Sequence, residues 1–287
     1  MKIAGVQMNV RLGEVADNRA RIIEQFDVAH KAGATLVIFP ECATTGYCLE
    51  TREEAKNLAE TIPGPTTGCL VEQCADLGGQ IIFGMLESDG EKLFNTACHL
   101  GPSGVIATYR KVHLPYLGLD RLVDFGDRPF KTYEVDGLRI GMNICYDSGF
   151  PEASRALALD GADLIALPTN WPNGAETLAE HAICTRALEN GIYYAAINRI
   201  GDEAGFRFIG RSRICGPRGE TLALGSAANE EILFAEIDPK LARQKTIVRV
   251  PGKHLIDRML DRRPEFYNRL VDPQNEPRPG HDIPIEE

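Results

Sequence analysis

Short apolar runs alternate with stretches of helical period along almost the whole chain, and this rhythm limits the folds open to it. Residues 2–8 alternate as a strand. Residues 17–31 set Ile22, Ile23, Phe26 and Ala29 on one helical face, with Asp17 as N-cap and Gly33 as stop. Residues 35–39 read as a buried strand. Residues 79–85, 94–100 and 105–109 read as further strands, the last two joined by the turn Gly101-Pro102-Ser103-Gly104. A second round follows: strands at 138–144, 163–167 and 192–197, with helices at 151–159 and 176–190 between them. Strands at 211–215, 221–224 and 231–237 close the pattern. No linker rich in Ser, Gly or Pro separates the two rounds. The expected fold is therefore α/β: one domain with two mixed sheets, layered as a sandwich. At 287 residues the chain can bury about 75% of the surface that its unfolded form exposes, enough for one large core.

Composition removes several function classes. Lys plus Arg is 31 against 41 for Asp plus Glu, a net charge of −10 without a dense basic stripe, so nucleic acid is not expected as a partner. No apolar run approaches the roughly 18 residues of a membrane span, so no membrane partner is expected either. The N-terminus is polar too soon for a signal peptide. The eight Cys, at 42, 48, 69, 74, 98, 145, 184 and 215, form no C-x-x-C pair, and a reduced, cytoplasmic protein is expected. The six His, at 30, 99, 113, 181, 254 and 281, show no ligand spacing, so no metal is expected. Dinucleotide, P-loop, zincin and serine-hydrolase signatures are absent.

In open α/β sheets, functional groups gather at the carboxyl ends of strands. Glu41 follows the strand at 35–39, Lys111 follows the strand at 105–109, and Cys145 follows the strand at 138–144 with a helix opening near Pro151. A thiol at such a junction faces a helix N-terminus, which lowers its pKa. A Glu and a Lys can supply a base and a cation. Each residue also has an ordinary reading taken singly: buried packing for the Cys, a loop carboxylate for the Glu, a solvated charge for the Lys.

Phe39-Pro40-Glu41, Tyr109-Arg110-Lys111-Val112-His113-Leu114 and Ile144-Cys145-Tyr146-Asp147 resemble, in order and context, the motifs of the nitrilase superfamily of carbon–nitrogen hydrolases. Thr45-Gly46-Tyr47, Phe125-Gly126-Asp127, Leu167-Pro168-Thr169-Asn170-Trp171 and Arg186-Ala187-Leu188-Glu189-Asn190 extend the resemblance over nearly the whole chain. It implies a four-layer α-β-β-α sandwich that assembles as a homodimer or a higher homo-oligomer. Residues 1–250 would be the hydrolase domain, and residues 251–287 an extension packing on the partner subunit. It also implies Glu41 as general base and acid, Lys111 as cationic stabiliser and Cys145 as nucleophile, with no cofactor. Tyr47, Tyr116, Tyr146, Asn170 and Trp171, which flank these three, are expected to line an aromatic-walled substrate slot. The Cys145-Tyr146-Asp147 context is similar to amidase and carbamoylase branches, so the expected substrate is a small linear amide or ureido compound. A nitrile substrate, or a catalytically idle binding subunit, is the alternative. Many relatives carry a second Glu shortly after the Lys. Residues 113–125 hold none: Asp120 and Asp124 are the only carboxylates there, and Gly118 stands where some relatives place that Glu.

Overall fold

The computed structural model describes residues 1–280; His281 and the six residues after it, the end of the expected extension, lie outside the described residues. In chain order the first half holds β1 (Lys2–Gln7), α1 (Val15–Lys31), β2 (Leu36–Ile38), α2 (Arg52–Leu58), α3 (Pro65–Leu77), β3 (Gln80–Asp89), β4 (Lys92–Gly101) and β5 (Gly104–Arg110). The second half holds β6 (Thr132–Val135), β7 (Leu138–Met142), α4 (Pro151–Leu159), β8 (Leu164–Thr169), α5 (Ile183–Asn190) and β9 (Tyr193–Asn198). Next come β10 (Ile200–Glu203), β11 (Phe206–Ile209), β12 (Arg213–Cys215), β13 (Thr221–Leu224), β14 (Glu231–Glu236), α6 (Pro239–Arg243), β15 (Ile247–Val250) and β16 (His254–Ile256).

Two six-stranded sheets result, ordered β14-β1-β2-β3-β4-β5 and β13-β12-β9-β8-β7-β6. Each has a parallel centre, β1–β2–β3 in one and β7–β8–β9 in the other, with antiparallel strands outside it. Central parallel strands are covered on both faces, so they must be apolar throughout. Accordingly β2, β8 and β9 are buried at every position.

The layering follows from who packs on whom. Ile3, Leu36, Ile38 and Ile82 of the first sheet share one core with Ile140, Ile165, Ala195 and Ile214 of the second, and Leu157 of α4 and Ile183 and Ala187 of α5 join that core. On the far side of the first sheet, Ile22 and Phe26 of α1 and Leu70 and Cys74 of α3 pack on Val37, Ile81 and Phe83. Each such buried aliphatic or aromatic side chain contributes about 1.5–3 kcal/mol by leaving water. The fold is thus the expected α-β-β-α sandwich in one domain.

Three departures from expectation lie in the helical segments and turns. Helix α1 begins at Val15 after Glu14, with no side-chain cap. Asp17 is no N-cap: it lies in the first turn and pairs with Arg11 at 2.7 Å. The stretch 176–190 is not one regular helix; a wide π-helical turn at Leu178–Ala182 leads into α5. After β7 the chain forms a 3₁₀ turn at Cys145–Gly149 before α4 begins at Pro151, so Cys145 does not sit on the N-terminus of α4. Beyond β15 the chain runs as a hairpin and two short turns, with Leu260, Phe266, Leu270 and Val271 exposed.

Candidate active site

Three strand ends converge. Glu41 follows β2 and is fully buried. The backbone of β3 runs directly against it: a Cβ on Gly84 would stand 2.5 Å from the Glu41 Cα, so only glycine permits this approach. Lys111 follows β5, and its backbone N–H donates to the Asn95 carbonyl of β4 at 2.8 Å. The preceding Arg110 is locked by ion pairs to Glu87, Asp89 and Asp127, which fixes where the chain leaves the sheet. Lys111 is buried as deeply as Glu41, so it is no solvated surface charge.

Cys145 follows β7 with φ +43°, a left-handed conformation that costs a non-glycine residue about 1–3 kcal/mol. Asp147 holds the turn that imposes it. The buried Asp147 carboxylate accepts from the Ile144 N–H at 2.9 Å, from the Tyr109 hydroxyl at 2.8 Å and from the His113 ring Nδ1 at 2.7 Å. Ser148 donates to the Cys145 carbonyl at 2.7 Å.

The charges form one buried cluster. Lys111 Nζ donates to Glu41 Oε1 at 2.7 Å and also to Asp120 Oδ2. Asn95 Nδ2 ties the two carboxylates together, 2.7 Å from Glu41 Oε1 and 2.9 Å from Asp120 Oδ1. Glu41 Oε2 accepts no hydrogen bond among the described residues. Burial, and then the charge of Asp120, push the Glu41 pKa up, against the pull of Lys111. Burial opposes the Lys111 charge, but Asp120 and Glu41 outweigh it and hold the ammonium well above its ordinary pKa. Cys145 lies within electrostatic reach of both Glu41 and Lys111. Burial and the Glu41 carboxylate push its thiol up despite Lys111, Thr169 and the Asn170 backbone. The expectation of a lowered thiol pKa is therefore wrong here: with α4 set away from the sulfur, burial and the anion beside it favour the protonated thiol.

Asp120, not a second Glu, completes the cluster. It is fully buried, and Tyr47 donates to its Oδ2 at 2.8 Å. Asp124 is elsewhere, half-buried and paired with Arg52 at 2.7 Å. Gly118 has a physical reason to lack a side chain: its φ is +49°, and a Cβ there would meet the Tyr47 ring at 2.4 Å. The loop carrying Tyr47 is pinned in turn by Glu203, which accepts from the Tyr47 N–H at 2.7 Å and the Cys48 N–H at 2.6 Å.

The five expected pocket residues separate into two groups. Tyr47 is buried beneath the cluster, with its hydroxyl on Asp120. Asn170 and Trp171 follow β8 and are buried; the Asn170 side-chain atoms and Trp171 Nε1 make no hydrogen bond among the described residues. Tyr116 and Tyr146, 46% and 42% exposed, instead line an open surface cavity of about 450 Å³ with His113, Phe125 and Phe150. Arg278 of the C-terminal segment reaches this cavity and lies 4.5 Å from the Phe125 ring centre. Asn95 and the role of Asp147 were not anticipated: the first reads as an ordinary strand residue, and the second acts only once the turn is formed. Among the described residues, no group of three or more His, Cys, Asp or Glu is placed to hold a metal ion, and no helix is long and apolar enough to cross a membrane.

A family model described as carbon–nitrogen hydrolase matches residues 2–246. A nitrilase from Pyrococcus abyssi is 41% identical over 270 residues, 94% of this chain and 100% of that one. An omega-amidase from Homo sapiens is 32% identical over 241 residues, 78% of this chain and 84% of that one. A variant of an amidase from Nesterenkonia sp. AN1, solved in complex with butyramide, has a similar fold, with a TM-score of 0.78 at 25% identity over 94% of this chain and 97% of that one. With sheet order, buried cluster and likeness all pointing the same way across the chain, the protein is an enzyme that belongs to the carbon–nitrogen hydrolase family.

Proposed function

We propose that the protein hydrolyses a small linear amide or ureido compound through a thioester on Cys145, releasing ammonia and an acid. One observation carries this reading: Glu41, bonded through one oxygen to Lys111 and Asn95, keeps its other oxygen unpartnered in a buried cluster beside a protonated thiol. Such a thiol is a poor nucleophile until a base removes its proton during attack. Glu41, with a raised pKa, is matched to that task. As the Cys145 sulfur bonds to the carbonyl carbon, Glu41 takes the thiol proton. The oxyanion that forms is met by the Lys111 ammonium and the Tyr146 backbone N–H. Glu41 passes the proton to the departing nitrogen, the C–N bond breaks, and ammonia leaves. Glu41 then takes a proton from water as the water attacks the thioester carbon, and returns it to the Cys145 sulfur as the acid departs. Asp120 keeps Lys111 charged and in place without touching the reacting carbon.

Asn170 and Trp171 supply unpartnered polar atoms in a buried wall, suited to orienting an amide. Tyr116 and Tyr146 stand at the outer rim. The amidase solved with butyramide supports the amide class, whereas the relative named as a nitrilase supports a nitrile. An ammonia-release screen over amides, ureido acids and nitriles decides between them. Amides or ureido acids are expected to give the higher kcat/KM; nitriles exceeding every one of them would overturn the substrate assignment.

The same reading takes residues 1–250 as the hydrolase domain and the segment after them as part of a homo-oligomer interface, since Leu260, Phe266, Leu270 and Val271 are left exposed on it. A chain ending at residue 250 should sediment as monomer or aggregate; an unchanged oligomer would refute this role.

A further inference from the structure

Away from the Cys145 cluster, two other cysteines meet where a helix packs on the second sheet. Cys184 stands in the first turn of α5 and Cys215 ends β12, with their Sγ atoms 3.2 Å apart. Both are free thiols; Cys215 is buried and Cys184 half-buried, so Cys184 is the more accessible residue of the pair. Arg213, on the same strand as Cys215, places Nη1 3.3 Å from the Cys184 sulfur and donates to the Thr221 hydroxyl at 3.0 Å. That hydroxyl is itself 3.6 Å from the Cys184 sulfur.

The two thiols are unequal. Burial works to raise the Cys184 pKa, but the contacts from Cys215, Thr221 and Arg213 outweigh it and leave it below the ordinary thiol value. Burial, and then the Cys184 sulfur itself, push Cys215 up. The half-buried sulfur is thus cation-paired with its pKa lowered, while its buried neighbour, with its pKa raised, is held against it. Low-pKa, accessible thiols with a second thiol in contact are the ones that oxidise reversibly.

We propose that Cys184 and Cys215 form an oxidation site, separate from the Cys145 site, that hydrogen peroxide closes to a disulfide. The Cys184 thiolate attacks one peroxide oxygen; an S–O bond forms, the O–O bond breaks, and the departing hydroxide takes a proton from solvent to become water. Cys184 is then a sulfenic acid. The Cys215 sulfur attacks it: the S–S bond forms, the S–O bond breaks, and the Cys215 proton leaves with the hydroxide as a second water. Two thiols lose two electrons and the peroxide is reduced to two waters. Going from 3.2 Å to an S–S bond of about 2.05 Å takes roughly 1 Å of approach, within the reach of side-chain adjustment. The bond would tie α5 to β12. Helix α5 also carries Arg186, whose Nε donates to the Ser148 carbonyl at 3.1 Å, on the turn that holds Cys145.

The test is peptide mapping of the full chain after peroxide, with free thiols blocked by iodoacetamide under denaturing conditions. A peptide pair linked through Cys184 and Cys215, and separated by dithiothreitol, is expected both in the unaltered protein and in Cys145→Ala. In Cys215→Ser, Cys184 should stop at the sulfenic acid and be captured by dimedone. Recovery of both cysteines as alkylated thiols in the unaltered protein overturns the proposal. So does Cys184 oxidised to sulfinic or sulfonic acid with no link to Cys215. Because the unaltered chain gives the decisive map, a poorly folding variant does not weaken the test.

Discussion

Replacing Asp120 with Asn removes one buried negative charge from the cluster and keeps its shape. Two effects follow, and both have a size. The Glu41 and Asp120 oxygens accept from the same Asn95 nitrogen at 2.7 and 2.9 Å, so they lie no farther apart than the two lengths end to end, about 5.6 Å. At an effective dielectric of about 20, two unit charges at that separation repel by about 3 kcal/mol, before Lys111 between them offsets part of it. Asp120 raises the Glu41 pKa, so removing its charge must lower it. The base form of Glu41 then persists to lower pH, and the acid limb of kcat/KM should move to lower pH. Lys111 meanwhile loses a charged partner, a loss of about 1.5–3 kcal/mol, so kcat at neutral pH should fall about 10- to 100-fold. The assay is ammonia release across pH with the best substrate from the screen, alongside Tm to verify folding. A folded Asp120→Asn enzyme with an unmoved acid limb and unchanged kcat would refute the electrostatic role given to Asp120.

Glu41→Gln preserves shape but removes the base, and should lower kcat about 10²–10⁴-fold at neutral pH, measured by ammonia release. Lys111→Arg keeps the charge but changes the donor geometry in a fully buried site, and should cost about 10²–10³ in kcat; near-normal turnover would show that the oxyanion does not depend on this ammonium. Gly118→Ala forces a Cβ into the Tyr47 ring at a positive φ, and should lower stability by about 1–3 kcal/mol, read as a lower denaturant midpoint. Trp171 is the single tryptophan, so substrate added to Cys145→Ala should quench or shift its fluorescence if it lines the slot; an unchanged spectrum at saturating substrate would remove it from the wall.

The sheet centres were legible in sequence because a strand buried on both faces must be a short apolar run, as β2, β8 and β9 are, and the three strand ends because a reactive side chain follows β2, β5 and β7 within three residues. The helices α2 and α3 were not, since their apolar stripe is thin: α2 buries only Ala55 and starts on a Thr51 cap, while α3 is framed by Gly64, Pro65 and Gly78. Glu41, Lys111 and Cys145 stood out as reactive types at strand ends. Asp120 stood only among possible replacements for a missing Glu, because its reach depends on a glycine turn under Tyr47 that no spacing reveals. The protonation of Cys145 was misjudged for a related reason. A strand–Cys–helix order in sequence suggests a helix dipole at the sulfur, but the intervening 3₁₀ turn moves α4 away and burial beside Glu41 sets the sign.

The most direct test of the account is ammonia release by Cys145→Ala, a change that leaves the buried charges of Glu41, Lys111 and Asp120 untouched. With no sulfur to form the thioester, turnover of every amide, ureido acid and nitrile accepted by the unaltered enzyme should vanish, while Tm stays close to the original. A folded Cys145→Ala protein that still released ammonia at a substantial fraction of the original rate would contradict the role of Cys145 as nucleophile, and with it the mechanism built on Glu41 as its base.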